Sequence, residues 1–346
     1  MGSQPRPHPV DRATGEAQPA LGGHDGERRH GRDFRPIRST QGLYSADVDP
    51  LIVLLGLGVG VLVGLTGVGG GALMTPLLIL VFGIKPVTAV GTDLAYGAIT
   101  KTVGGWRHVK LKTVDFGIST WMAFGSVPAA VGGAYLVHVL EDSLGSKFDD
   151  VVIIAVGCAI LLTGSLMFVK TLLTGTPEEG RQNVEPTRRN KVGAAVFGAV
   201  VGFILGVTSA GSGSLIAVGL ILVFKLAPHR VVGTDVFHAA ILLWAAAIAH
   251  IVAGNVDFAL AGTILLGSVP GVVVGSWLSV RTPVEVLRTV LGIVLIGGGL
   301  GLLSKAGAGI PPVAIAACPL VAGALVWRGI VLRNRRMRLG PAAAPH

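Results

Sequence analysis

Long apolar stretches, separated by short polar or charged ones, cover most of this 346-residue chain. Most of them approach the ~20 residues that an α-helix needs to cross the hydrocarbon core of a bilayer. The pattern therefore predicts an all-α polytopic membrane protein. The apolar segments fall at about residues 51–82, 87–106, 115–139, 150–173, 195–224, 231–252, 257–280, 286–303 and 311–330.

Polar sequence divides the chain into units. Residues 1–46 are rich in Pro, Gly, Arg and His, which predicts a disordered tail, and they lack the apolar core of a signal peptide. A second polar stretch, residues 174–191, predicts a linker between two apolar halves. The remaining predicted units are a first transmembrane repeat at 51–173, a second at 192–303, an additional span at 311–330 and a basic tail at 331–346.

The two apolar halves repeat one another. Residues 56–136 match residues 198–278 without a gap, so that residue i corresponds to residue i + 142. GVLVGLTGVGGGAL lies over GFILGVTSAGSGSL, and the strings LILVF, VGTD, VDF and GSVP each occur once in both copies. A duplicated apolar unit is typical of secondary transporters, whose substrate site lies where the copies meet.

The first apolar segment of each copy is too long for one straight crossing at 1.5 Å per residue. Each of these segments carries a cluster of Gly, Ser and Thr near its middle, at residues 66–71 and 208–213. Glycine weakens a helix and frees its backbone. Each copy is therefore predicted to contain a broken or re-entrant helix followed by three spans.

The distribution of charge favours re-entrant over crossing breaks. If both broken segments cross, the chain has nine spans; if both turn back, it has seven. With seven spans, most basic loops face the cytoplasm and the acidic loop at residues 141–150 faces outward, as the positive-inside rule requires. The N-terminus is then outside the plasma (inner) membrane, the C-terminus is cytoplasmic, and the two copies are inverted relative to each other.

Composition supports the membrane prediction. Hydrophobic residues make up 51% of the chain and charged residues 14%, against about a quarter charged in soluble proteins. The net charge of +9 comes from arginine clusters beside apolar spans, which indicate topology or contact with lipid headgroups rather than nucleic-acid binding. Cys158 and Cys318 lack metal-ligand spacing, so we expect buried, inert thiols, no metal and no cofactor.

The repeated motifs resemble the TauE/SafE sulfite exporter family, which includes permeases of the 4-toluene sulfonate uptake type. The resemblance rests on the glycine-rich break, the proline-led helix with GTD, and the VDF and GSVP strings, and it covers roughly residues 51–303. It implies export or uptake of a small anion such as sulfite, a sulfonate or a related organic anion. Many relatives carry Ser after GT, where this chain has Asp93 and Asp235.

The breaks are also the predicted substrate site. A helix that begins inside a membrane presents unpaired N–H groups and a partial positive charge to an anion. The alternative is that the glycines only permit close helix packing. The predicted substrate-binding residues are Thr66, Gly67, Gly69, Gly70, Gly71, Thr208, Ser209, Gly211, Ser212, Gly213 and Lys101. Three interpretations remain open for Lys101: attraction of substrate, pairing with Asp93, or extension to an interface.

Acidic residues inside a span are costly and mark function by default. Asp93 and Asp235 are therefore predicted to couple transport to a proton or sodium ion, or to orient neighbouring hydroxyls; the alternative is a capping or interhelical hydrogen bond. The candidates for ion coupling are Asp93, Asp235, Thr92, Thr234 and His238.

Other repeated residues have structural interpretations. Asp115 and Asp257 begin the third helix of each copy and are predicted N-caps, while His108 and His250 are predicted hydrogen-bonded surface groups. Small residues recur every fourth position and predict close helix packing. These residues are Gly56, Gly60, Gly64, Gly125, Ala129, Gly133, Gly198, Gly202, Gly206, Gly267, Gly271 and Gly275.

Two other functions compete with a carrier. An anion channel remains open, because sequence does not separate a channel from a carrier. An intramembrane serine protease would need Ser212 paired with His238 or His250, but the first copy has Gly70 in place of Ser212. We therefore expect no enzymatic activity, and the partners are a small anionic substrate, the lipid bilayer and a coupling ion. The sequence leaves the oligomeric state undetermined.

Overall fold

A computed structural model describes residues 49–66, 70–173, 181, 183–185, 187–279 and 284–338. Its regular structure consists of α-helices and one turn of 3₁₀ helix, with no strand among these residues, which confirms the all-α prediction. The helices are α1 (Pro50–Thr66), α2 (Gly71–Leu80), α3 (Pro86–Lys110), α4 (Phe116–Leu144), α5 (Phe148–Leu173), α6 (Arg188–Thr208), α7 (Leu215–Leu222), α8 (Pro228–Val252), α9 (Phe258–Ser279), α10 (Val284–Lys305) and α11 (Pro312–Arg338).

The predicted helix breaks are present in both copies. The first copy has α1, a break and the shorter α2, and the second has α6, a break and the shorter α7. Ser209 ends α6 with a left-handed backbone, and Gly211 and Gly213 follow with φ values of 114° and 99°. Glycine suits these two positions because a β-carbon disfavours positive φ. The predicted ligands Gly67 and Gly69 lie outside the described residues.

Seven described helices are long and apolar enough to cross a membrane: α4, α5, α6, α8, α9, α10 and α11. This set differs from the seven spans predicted from sequence, because it includes α6 and omits α3. With 25 residues α3 is long enough, but Asp93, Lys101 and the basic residues of its last turn lower its hydropathy. Helix α1 has only 17 residues, about 25 Å at 1.5 Å per residue.

Helix packing follows the sequence repeat. In one pair, α1 packs along α9, and a β-carbon placed at Gly60 would lie 2.4 Å from the carbonyl oxygen of Ser268. In the matching pair, α6 packs along α4, and a β-carbon at Gly202 would lie 2.2 Å from the carbonyl oxygen of Ser126. These contacts confirm that the small residues form close packing faces. The first helix of each copy thus packs on the second of the three long helices of the other copy, α9 or α4.

Corresponding helices of the two copies run antiparallel where they meet. Helices α3 and α8 contact each other with Gly97 near Leu243 and Gly104 near Val236. Helices α5 and α10 show the same reversal: Gly157 lies near Leu303, whereas residues further along α5 contact earlier residues of α10. This packing brings the matched helices together at the centre of the molecule in opposite directions.

The contacts also show that the chain reverses at the first break. Helix α1 runs parallel to α9, and α9 runs parallel to α3. Helix α2 runs antiparallel to α3, because its first residues contact Asp93 and Tyr96 whereas its last residues precede Pro86. Therefore α2 runs back against the direction of α1. In the second copy α6, α4 and α8 run parallel, while α7 begins beside Asp235 and leads back to the start of α8.

The predicted N-caps are confirmed, and one prediction about cysteine is wrong. Asp115 Oδ1 accepts a hydrogen bond from Ile118 N at 3.1 Å, and Asp257 Oδ1 accepts one from Leu260 N at 2.9 Å. Cys158 and Cys318 are exposed rather than buried. An apolar run does not distinguish the inside from the outside of a helix bundle when the surroundings are lipid, because both faces are then apolar.

Candidate substrate and ion site at the helix breaks

The two breaks meet in the interior of the molecule. A β-carbon placed at Gly71, where α2 begins, would lie 2.7 Å from the carbonyl oxygen of Ser209 in the second break. Ser209 also hydrogen bonds to Asp93 and Thr75 of the first copy. All these residues are buried. The predicted site residues Gly71, Ser209 and Asp93 therefore form one centre to which both copies contribute.

Asp93 lies in a pocket of hydroxyl groups. Its Oδ2 accepts hydrogen bonds from Thr75 Oγ1 at 2.6 Å and from Ser209 Oγ at 2.7 Å, and the two hydroxyl oxygens are 2.7 Å apart. Its Oδ1 is buried without a hydrogen-bond partner among the described residues. Sequence reasoning missed Thr75. The available signal was a hydroxyl in the otherwise apolar helix α2, at a position where the second copy has Ala217.

Asp235 has different surroundings. Its Oδ1 accepts a hydrogen bond from the backbone N–H of Gly213 at 3.2 Å. This donor was predicted to be available to the substrate, but in this structure the carboxylate of Asp235 uses it. On the other side of the same residue, Lys170 Nζ donates to the carbonyl oxygen of Gly213 at 3.0 Å. Gly213 is thus held between a buried carboxylate and a buried ammonium group.

Sequence reasoning also missed Lys170. This residue lies in α5, its side chain is buried, and it interacts electrostatically with Asp235, Lys101 and Arg288. The signal was a lysine within an apolar segment, which by itself indicates function. Buried lysines and buried carboxyl groups therefore lie close together at this break.

Lys101 faces a cavity of about 190 Å³ beside the first break. The cavity is also lined by Gly70, Arg107 and His108. Lys101 is 7% exposed, and its Nζ has no hydrogen-bond partner among the described residues. Its electrostatic partner is Asp235. Burial argues against extension to an interface, and the described contacts do not include a pair with Asp93, so attraction of substrate is the interpretation that the geometry favours.

A wider cavity of about 570 Å³ adjoins the first one between α3 and α9. The two cavities share Thr100, Gly104, Arg107, Val272 and Ser276. The other residues that line the wider cavity are mainly apolar. Arg107 lines both cavities. The cavity near Lys101 therefore adjoins a larger apolar groove along α3 and α9, in which Val103, Val273 and Trp277 are exposed on the surface.

Several predicted ligands have their hydroxyl groups occupied. Thr66 Oγ1 donates to the carbonyl oxygen of Leu62 at 2.7 Å, and Thr208 Oγ1 donates to that of Ile204 at 2.6 Å. These bonds lie within α1 and α6, one turn before each break. They stabilise the helix ends, and Thr66 and Thr208 do not direct these hydrogens toward a substrate in this structure.

The candidates for ion coupling separate into two groups. Asp93 and Asp235 lie at the breaks, whereas Thr92 and Thr234 join the two copies: their hydroxyl oxygens accept from the backbone N–H groups of Asp257 at 3.0 Å and Asp115 at 2.9 Å. The hydrogen bonds described for Thr92 and Thr234 do not involve the carboxyl groups of Asp93 and Asp235. They fix the start of the third helix of each copy against the central helices α3 and α8.

One of the two histidines predicted at the surface, His250, is fully buried, whereas the other, His108, is partly buried. His238 is fully buried between two hydroxyls of α4, with Nδ1 3.4 Å from Ser119 Oγ and Nε2 3.2 Å from Ser126 Oγ. His250 was expected at the surface, but it is also fully buried, and its Nε2 lies 2.9 Å from the carbonyl oxygen of Gly206. It lies on the inner face of α8, which packs against α3. The contacts of neither imidazole include Ser212.

Comparison with known proteins agrees with this architecture. Residues 52–302 match the model of a family described as sulfite exporter TauE/SafE. A probable membrane transporter protein of Bacillus subtilis (strain 168), YjnA, is 40% identical over 252 residues, which are 73% of this chain and 98% of YjnA. A second from the same organism, YunE, is 25% identical over 264 residues, 73% of this chain and 96% of YunE. No solved structure matches the chain.

Proposed function

The chain belongs to the TauE/SafE family of sulfite exporters, and on that premise we propose that it is a secondary transporter that carries a small anion across the plasma membrane. The substrate is sulfite, a sulfonate or a related oxyanion, and the mechanism is alternating access. The candidates for coupling transport to an ion are Asp93 and Asp235. The N-terminus is outside the cell and the C-terminus is cytoplasmic.

A buried lysine that faces the cavity is the observation that carries this proposal. Lys101 is 7% exposed, and its Nζ has no hydrogen-bond partner among the described residues. A buried charge is costly unless it is paired and hydrogen-bonded, and an anion bound in the cavity beside Lys101 supplies both. At about 190 Å³ the cavity holds about six water molecules at ~30 Å³ each, which is enough for a small oxyanion with some of its hydration.

The arrangement of the helices supports alternating access. Each break joins a helix of one interlocked pair, α1 with α9 or α6 with α4, to a short helix that runs back from the centre. Antiparallel packing of corresponding helices supports an inverted repeat, in which rocking of one half about the other exposes the site to each side in turn. The cavity beside Lys101 also contacts Arg107 and His108 at the basic end of α3, which the charge rule places toward the cytoplasm.

A channel and a protease are the competing functions. Counterflow, in which substrate on one side of the membrane accelerates movement of labelled substrate from the other, separates a carrier from a channel. The serine protease has little support, because His238 contacts Ser119 and Ser126 rather than Ser212.

Purified protein in liposomes tests the proposed function. We expect counterflow of sulfite, thiosulfate or sulfoacetate, and none of taurine, which is zwitterionic at neutral pH and serves as the control for net charge. Liposomes without protein measure leakage of sulfite. Flux with no counterflow would indicate a channel, and no anion flux with or without a proton gradient would contradict the proposal.

A further inference from the structure

Three oxygen atoms form a closed triangle where the two breaks meet. Thr75 Oγ1 lies 2.6 Å from Asp93 Oδ2, Ser209 Oγ lies 2.7 Å from the same carboxyl oxygen, and the two hydroxyl oxygens lie 2.7 Å from each other. All three separations are in the range of O–H···O hydrogen bonds. All three residues are almost completely buried. The hydrogen atoms between their oxygens therefore do not come from bulk water.

Each short contact requires one hydrogen atom, and the two hydroxyl groups supply only two. A threonine or serine hydroxyl has a single hydrogen, and an ionised carboxylate has none. With Asp93 ionised, one of the three O···O contacts therefore contains no hydrogen. A proton on Asp93 Oδ2 supplies the third hydrogen, and each of the three groups then donates once around the ring.

The described basic side chains on neighbouring helices interact with other groups, so they do not supply the third hydrogen of the triangle. On α3, Tyr96 interacts electrostatically with Asp93, whereas Lys101 interacts with Asp235 of α8 and with Lys170 of α5. On α10, Lys305 Nζ donates to the carbonyl oxygen of Ile79, near the far end of α2. The ion pair found among the described residues, Arg333 with Glu285, does not involve Asp93. The start of α2 and the second break present hydroxyl groups to Asp93.

The matched acidic residue lacks this triangle. Positions that correspond to Thr75 and Ser209 in the other copy are Ala217 and Gly67, neither of which has a hydroxyl group. Asp235 instead accepts from the backbone N–H of Gly213 and interacts with two buried lysines. These contacts make Asp235 an acceptor for a backbone N–H group and a counter-charge for the lysines.

We infer that the two acidic residues have different roles: Asp93, with Thr75 and Ser209, binds the proton that drives transport, and Asp235 is the fixed counter-charge of Lys101 and Lys170. This inference rests on the proposed function, because it identifies the coupling ion of the same site. It also assigns Thr75 as a positioning residue for the proton.

The triangle connects proton release to movement of the two copies. Thr75 and Asp93 belong to the first copy and Ser209 to the second. On release, the O–H bond of the carboxyl group breaks, its electron pair stays on Asp93 and the proton passes to a water molecule. One of the contacts in the triangle then contains no hydrogen, and the hydrogen bonding that connects the two breaks is weakened. Reprotonation restores the missing hydrogen bond and so restores the connection between the two breaks.

Infrared spectroscopy of the purified protein tests the proton site without transport. We expect the C=O stretching band of a buried, protonated carboxyl group in the wild-type protein, with a pH titration. The band is lost in Asp93→Asn and kept in the matched variant Asp235→Asn. Because its amide can donate to the hydroxyl groups, Asp93→Asn retains the hydrogen count of the ring and is expected to fold. Loss of the band in Asp235→Asn but not in Asp93→Asn would overturn the inference.

Transport measurements test the role of Thr75. In sodium-free proteoliposomes that contain a pH-sensitive dye, we expect an anion gradient to move protons through the wild-type protein. Asp93→Asn should abolish the proton movement that accompanies anion flux, because the variant has no carboxyl group to protonate at that position. Thr75→Val should change the pH midpoint of anion counterflow, and Thr75→Ser should restore it. A requirement for sodium, or equal pH midpoints in Thr75→Val and the wild-type protein, would contradict the assignment.

Discussion

At the scale of single residues, the two copies differ at positions that surround the buried acidic residues. Lys101 corresponds to Leu243, and Ser209 corresponds to Gly67. Two acidic residues that are equivalent in sequence therefore occupy different environments, one among hydroxyl groups and the other beside lysines. In a site with exact two-fold symmetry these two environments would be the same. The differences also place the buried side chain of Lys101 at the cavity beside the first break.

Replacing Lys101 by the residue of its repeat mate tests its role. Lys101→Leu should weaken anion binding by about tenfold to a hundredfold, because a hydrogen bond to a charged group contributes ~1.5–3 kcal/mol. The measurement is the dissociation constant for sulfite by isothermal titration of the purified protein. Lys110→Met is the matched control, since it also removes one positive charge from α3 but from an exposed side chain that stacks on Trp106. Equal affinities of Lys101→Leu and the wild-type protein would refute a role in binding.

At the scale of helices, small residues decide how closely the elements approach. Backbone atoms of Ser268 occupy the space that a side chain at Gly60 would need, and those of Ser126 do the same at Gly202. Such contacts have no flexible partner that can move away, because the obstructing atoms belong to the backbone of a neighbouring helix. The positions of the two breaks depend on this packing, since α1 and α6 end where the breaks begin.

Substitution at the helix interface should prevent folding rather than alter selectivity. We expect Gly60→Leu to lower the yield of folded protein in the membrane and its Tm in detergent, because a β-carbon there would lie 2.4 Å from Ser268 O and 2.7 Å from its Cα. Overpacking costs about 1–3 kcal/mol even where the surroundings adjust. Gly58→Leu, in the same helix, is the control, since a β-carbon at Gly58 meets nothing within 4 Å. Normal membrane levels of Gly60→Leu with altered substrate preference would argue against a packing role.

At the scale of the whole molecule, the two copies are interlocked rather than adjacent. Helix α1 of the first copy packs on α9 of the second, and α6 of the second packs on α4 of the first. Each break is therefore part of one copy in the sequence, but in the structure it lies against helices of both copies. In the proposed transporter, a movement of one half about the other would therefore change both breaks together.

Cysteine labelling tests the path of the broken helix. Because α2 runs back against α1, we expect Asp49→Cys and Lys85→Cys to react with an impermeant reagent from the same, outer side of intact cells. Lys112→Cys should react only from the cytoplasm. All three residues are exposed, and Cys158 and Cys318 are first replaced by serine because they are exposed as well. Labelling at positions 49 and 85 from opposite sides would show that the broken helix crosses the membrane.

The sequence by itself determined the class of fold, the duplication, the position of each break, the N-caps and the small-residue faces. These features are local, since periodicity, glycine content and capping residues act within one helix or between neighbouring turns. Asp93 and Asp235 could also be selected as candidates from local sequence. A charged residue inside an apolar segment stands out before any contact is known.

Only the tertiary structure decided which groups meet. It placed Ser209 of one copy against Asp93 and Thr75 of the other, and it brought Lys170 to Gly213. It also decided that α2 turns back and that the cysteines and His250 lie where sequence did not predict. In a bilayer both the buried and the lipid-facing sides of a helix are apolar, so the sequence of one helix does not show which side faces a neighbour. That information resides in contacts between helices that are far apart along the chain.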